Sequence, residues 1–182
     1  MKQILYDDKT DFDTGTYEKT EYSTPDSGVV IKTEALDNWW SVNYDFRKEL
    51  TFGHDHSEID EEMTIEVTFD HKALVDATKA LASGDDLRVV FQDETDRSSI
   101  VYTELDRILT SPNTTTTKLE FRCPETMAAN AERISAVKRI YVYYDYPSAV
   151  SPPGDKDNVY CMFDDFDTDT SAKYESEPNR GT

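Results

Sequence analysis

Between Met63 and Phe69 apolar and polar residues alternate one for one, with Met63, Ile65, Val67 and Phe69 set against Thr64, Glu66 and Thr68. A period of two predicts a β-strand with one buried face and one wet face. Lys48-Glu49-Leu50-Thr51-Phe52 alternates in the same way. So do Leu87, Val89 and Phe91 after the turn Gly84-Asp85-Asp86, and Leu119 and Phe121 after the Thr114–Thr117 run. Arg139-Ile140-Tyr141-Val142-Tyr143-Tyr144 carries large groups on both faces, the pattern of an interior strand. Val159 to Phe163 predicts a further strand that closes the sheet. Upstream, Asp26-Ser27-Gly28 is a turn signal leading into a short strand at Val29-Val30-Ile31.

Helical spacing is scarce. Leu74, Ala77 and Leu81 fall three and four apart, and Gly84 follows as a stop, so residues 71–82 are expected to be helical. Met127-Ala128-Ala129-Asn130-Ala131, within 124–136, allows a turn or two. Many short strands and few helices predict an all-β fold. The expected architecture is a β-sandwich with jelly-roll or Greek-key connections, one or two short helices and extended terminal arms. Three segments are expected. Residues 1–38 form an N-terminal arm with short strands, flanking the core or reaching a neighbour. Residues 39–166 form the sandwich, and 167–182 a polar C-terminal tail.

Composition changes this picture in two places. Only 37% of the 182 residues are hydrophobic, a lean supply for a core, but 12% are aromatic, which argues against wholesale disorder. The formal charge of −19 sets the chain against nucleic acid and anionic membrane surfaces. No run approaches the roughly 20 apolar residues of a membrane span. The opening Met1-Lys2-Gln3-Ile4-Leu5-Tyr6-Asp7-Asp8 turns acidic at once, unlike a secretory leader, so synthesis in the cytoplasm is expected. Cys123 and Cys161 leave two alternatives open, a disulfide or two unpaired thiols.

Several sequence features suggest chemistry. His54-Asp55-His56-Ser57-Glu58 has two imidazoles two apart, but only His71 remains to complete a zinc set, so a charged loop is expected. Asp165, Asp167 and Asp169 alternate as calcium ligands do, yet Thr170 and Ser176 stand where an EF-hand needs Gly and Glu. No cofactor is expected, with calcium on those three aspartates as the alternative. Ser98, Ser99 and the cysteines sit in no nucleophile elbow, and six glycines supply no phosphate loop. No catalytic residue is assigned, and the chain is expected not to be an enzyme. The candidate binding residues are Trp39, Trp40, Tyr44 and Tyr146, aromatic groups suited to stacking on a sugar or anchoring a protein interface. Trp39 and Trp40 are expected to face opposite ways on a strand, with at least one covered by the arm or a neighbour. Tyr141 and Tyr143 are expected in the core.

Four motifs in order carry a family resemblance. They are Tyr44-Asp45-Phe46-Arg47-Lys48-Glu49-Leu50-Thr51-Phe52, Gly84-Asp85-Asp86-Leu87-Arg88-Val89-Val90-Phe91, Ile140-Tyr141-Val142-Tyr143-Tyr144-Asp145-Tyr146-Pro147-Ser148-Ala149 and Phe163-Asp164-Asp165-Phe166. Together they resemble a β-sandwich domain family of unknown function, found in prokaryotic surface proteins and in viral structural and tail proteins. The chain departs from the family where Tyr-Tyr-Asp-Tyr-Pro replaces Tyr-Tyr-Gly-Asn-Pro. The resemblance implies architecture and surroundings without an activity. The expected role is a non-enzymatic structural subunit of a virus particle, a tail, fibre or capsid-decoration protein. Such a subunit is made in the host cytoplasm, displayed outside the cell, and partnered by copies of itself and other virion proteins. The alternative is a carbohydrate-binding or adhesion module that meets a host surface glycan.

Overall fold

The computed structural model describes residues 2–5, 39–53, 56–96 and 99–164. Among these residues the fold is all-β, with eight strands in two small sheets and two short helices. The strands are β1 (Lys2–Leu5), β2 (Phe46–Leu50), β3 (Thr64–Phe69), β4 (Arg88–Asp93), β5 (Val101–Leu105), β6 (Arg107–Thr110), β7 (Thr117–Arg122) and β8 (Lys138–Tyr144). The helices are α1 (His71–Asp76) and α2 (Lys156–Val159). One four-stranded sheet runs β1-β3-β7-β6 and the other β2-β8-β4-β5. Every pairing is antiparallel except β1 with β3. β5 and β6 are separated by Asp106 alone, so the chain steps from the edge of one sheet to the edge of the other at a single bend.

Alternation decides what each strand buries. Ile65, Val67 and Phe69 of β3 and Leu119 and Phe121 of β7 join Leu50, Val89, Phe91, Ile140, Val142 and Tyr144 of the other sheet in one hydrophobic cluster. Removing this apolar surface from water is the main drive to fold, at roughly 25 cal/mol per Å2. β8 lies between β2 and β4, the interior position that its two-faced pattern predicts.

Polar groups staple the turns to this core. The buried Asp86 carboxylate accepts the Leu81 N–H at 3.0 Å and the Asp145 N–H at 3.1 Å, and burial pushes its pKa up. The buried Arg107 guanidinium donates to the carbonyls of Leu87, at 3.1 Å, and Gly84, while desolvation pulls its pKa down to about 10. Gly84 has a φ of +73°, where any other side chain is strained, and a Cβ there would run into the Leu109 side chain.

Several sequence expectations are corrected. Helix α1 ends at Asp76, short of the expected 82. Asp70 caps its start by accepting the Ala73 N–H at 2.8 Å. Its end closes as a Schellman motif, with Thr78 N–H on Val75 C=O, Lys79 N–H on Leu74 C=O, both at 2.9 Å, and Thr78 at φ +58°. Residues 124–136 contain turns and no helix; Met127 instead bridges Ile59. The strand expected at Val159 to Phe163 is absent. α2 takes its place because the Asp155 carboxylate accepts the Asp157 N–H at 3.0 Å and caps a helical turn. Val159 is buried and its carbonyl accepts the Thr64 hydroxyl at 2.8 Å, while Arg122 holds the carbonyls of Asp157 and Tyr160 at 2.5 and 2.6 Å. Val29–Ile31 lie outside the described residues. No described helix is long and apolar enough to cross a membrane.

Candidate functional site

The alternation that points Ile140, Val142 and Tyr144 into the main core sends Tyr141 and Tyr143 to the opposite face of the same sheet. Register sets their neighbours. Arg47 of β2 and Arg88 of β4 flank Tyr143, and Glu49 and Val90 flank Tyr141. Residues outside the strands then fold onto this face. Tyr44, Val90, Tyr141 and Tyr143 form a second buried cluster, with Trp39, Trp40, Tyr102 and Tyr146 packed half-buried around it.

The four residues singled out in the sequence therefore converge. Trp40 lies 5.4 Å from Tyr44 and 5.6 Å from Tyr143, ring centre to ring centre, and Tyr44 lies 5.4 Å from Tyr146. Trp39 meets Tyr143 edge to face at 5.4 Å, and its indole N–H donates to the Tyr44 carbonyl at 3.0 Å. Trp39 and Trp40 are not on a strand, and they do not face opposite ways; the turn that precedes β2 brings both onto Tyr143. The hinge of this arrangement is the Tyr143 hydroxyl, which accepts the Trp40 N–H at 3.1 Å and Arg47 Nη1 at 3.0 Å. Tyr143 is fully buried, as the expected core position requires, but its core is this second one.

Arginine completes the site. The Arg47 guanidinium stacks 4.5 Å from the Tyr141 ring centre and 4.7 Å from that of Trp39, the geometry of cation–π attraction. Arg88 pairs with Glu104 at 2.7 Å and also donates to the Val150 carbonyl. Burial pushes the phenol pKa values of Tyr44, Tyr141 and Tyr102 upward, so these hydroxyls stay protonated at neutral pH. Ring edges and hydroxyls already engage each other, and the faces of Trp39 and Tyr141 hold Arg47. The arrangement thus ties the turn before β2 to this sheet and leaves Trp39, Trp40, Tyr102 and Tyr146 half-buried, while Val42 of the same turn is exposed. Arg47 was legible in Phe46-Arg47-Lys48-Glu49-Leu50, whose alternation puts it on the face opposite Phe46 and Leu50. Tyr102 gave no comparable signal.

Protein-family models, curated proteins and solved structures were compared with the chain, and none matches it.

The other candidates resolve differently. Asp165, Asp167 and Asp169 lie outside the described residues, as do His54 and Asp55. His56 is buried with its ring nitrogens 2.7 Å from the Ser57 carbonyl and 2.8 Å from the Ala131 carbonyl. His71 is buried too; its Nδ1 accepts the Asn113 N–H at 2.9 Å, and desolvation lowers its pKa. Among the described residues no three His, Cys, Asp or Glu side chains gather as metal ligands. Both cysteines are unpaired thiols. Cys161 is exposed, whereas Cys123 is buried and its pKa is pushed up to about 11.

Proposed function

We propose that the chain is a non-enzymatic structural subunit of a virus particle, a tail, fibre or capsid-decoration protein that assembles with its own copies and with other virion proteins. In this reading the two sheets pack face to face as a β-sandwich with jelly-roll or Greek-key connections, and the terminal arms clasp neighbours. The observation that carries it is β1. Four residues at the start of the chain add a parallel strand to the edge of one sheet, and residues 6–38 separate them from the body they join. The arm's root is held at Trp39 to Tyr44 by the aromatic cluster on the other sheet, so root and tip engage different sheets. The virion setting draws on the resemblance of the Tyr44–Phe52, Gly84–Phe91 and Ile140–Ala149 motifs.

The test is the solution mass of the full chain by light scattering at low and high salt. With 38 acidic residues against 19 basic ones, copies repel, so a defined oligomer that strengthens with salt is expected. Removing residues 1–5 should shift it toward monomer. A full chain that stays monomeric under all conditions sinks the reading. One observation favours carbohydrate binding as the second reading: Trp39, Trp40, Tyr102 and Tyr146 are only partly buried and pack against one aromatic cluster. A glycan signal lost in Trp40→Ala, with the mass unchanged, would select it.

A further inference from the structure

β3 is built as an interior strand. Ile65, Val67 and Phe69 are buried on one side, and Thr64 and Glu66 are buried on the other. β7 satisfies one flank of its backbone, with Thr64 opposite Arg122 and Phe69 opposite Thr117. The other flank is completed by β1, in the register Lys2 to Ile65, Gln3 to Glu66, Ile4 to Val67 and Leu5 to Thr68. Without β1 this flank is an open row of N–H and C=O groups on an apolar strand, the kind of edge that recruits another chain.

We propose that in the assembled protein the β1 that completes this edge is supplied by a second copy of the chain. The inference rests on the assembly reading above and deepens it by naming the partner, the acceptor edge and the register. Three features support it. Parallel neighbours cannot be joined by a tight turn and need a long crossover. Here the crossover is residues 6–63, which includes β2 of the other sheet, so no short connection ties Leu5 to the β3 of its own chain. Residues 6–38 at full extension reach roughly 110 Å at about 3.3–3.6 Å per residue, enough to span to a neighbouring domain. Finally, the pairing is chemically the same whichever copy donates the strand, so proximity alone selects the donor, and crowding of subunits in an array raises the neighbour's share. One strand given and one received per copy leaves no β3 edge open except at the ends of an unclosed chain of copies.

The register supplies the experiment. One full-length chain carries Leu5→Cys and another Thr68→Cys, both with Cys161→Ser to remove the exposed native thiol. Mixed under the assembling conditions and oxidised, they should give a disulfide-linked heterodimer on a non-reducing gel. A chain carrying both cysteines should give linked multimers. Gln3→Cys with Glu66→Cys is the second pair, used if the first folds poorly. Bonds that close only within single chains, or no bond from either pair, overturn the proposal. Light scattering of the unmodified chain separates the two ideas. A defined oligomer with bonds inside single chains keeps the assembly reading and rejects the exchange, while a monomer rejects both.

Discussion

The β2-β8-β4-β5 sheet has two faces with different chemistry. One face presents Leu50, Val89, Phe91, Ile140, Val142 and Tyr144 to the main hydrophobic cluster, mostly groups with no polar atom to satisfy. Its outer face presents Tyr141, Tyr143, Val90, Arg47 and Arg88, roofed by Trp39, Trp40, Tyr44 and Tyr146. The inner face is held by area and shape, which tolerate any apolar neighbour of suitable volume. The outer face adds directional contacts, with the Tyr143 hydroxyl taking two donors and Arg47 stacked on Trp39 and Tyr141. Both are buried, but the outer one also leans on hydrogen bonds that the Tyr143 hydroxyl accepts.

The largest effect is expected on the inner side. Phe121→Ala removes a fully buried ring where the sheets share their core and should cost about 3–5 kcal/mol in urea unfolding. Tyr143→Phe leaves the outer ring packing in place but strips the acceptor from Trp40 N–H and Arg47, and should cost about 1–3 kcal/mol. Its near-ultraviolet circular dichroism should change as the Trp rings loosen. A Tyr143→Phe variant as stable as the parent would mean that packing alone holds the outer face.

Asp86→Asn probes the point just past β8. The amide keeps one acceptor for two backbone N–H groups, so a loss of about 1–2 kcal/mol at neutral pH is expected. The pH dependence has a definite sign. Burial raises the folded pKa of Asp86 above its unfolded value, so the folded state binds more protons between the two. The parent's stability relative to Asp86→Asn should therefore be greatest below pH about 4 and fall as pH rises through the raised pKa. Denaturant titrations of both proteins from acid to neutral pH measure this, and a difference that grows with pH refutes the buried-carboxylate account. The smallest effect lies outside both faces. Thr78 holds a left-handed φ at the α1 terminus, so Thr78→Gly should stabilise by about 0.5–1 kcal/mol, read as a small rise in the urea midpoint.

The strands with clean alternation were legible residue by residue, because period two depends only on the backbone. β3, β4, β7 and β8 fall where Ile65, Val89, Leu119 and Ile140 place them. The same logic failed at Val159, where a capping aspartate two residues after a proline pair outweighed a short apolar run. It failed again at Lys2–Leu5, where four residues leading into an acidic stretch carry no local strand signal and gain their conformation only from β3. At the candidate site, the residue types Trp39, Trp40, Tyr44 and Tyr146 could be read from the sequence, but their meeting in one cluster with Tyr143 could not.

The sequence by itself determined the all-β class, the inward and outward positions of its alternating strands, the acidic charge and the stock of aromatic groups. These follow from side-chain period and composition, which are local. The tertiary structure alone decided that β8 lies between β2 and β4, that Asp106 carries the chain from sheet to sheet, that Arg47 stacks over Tyr141, and that β1 completes the edge of β3. Those contacts join residues far apart in the chain, and their free energy appears only once the fold has met the entropy cost of bringing them together.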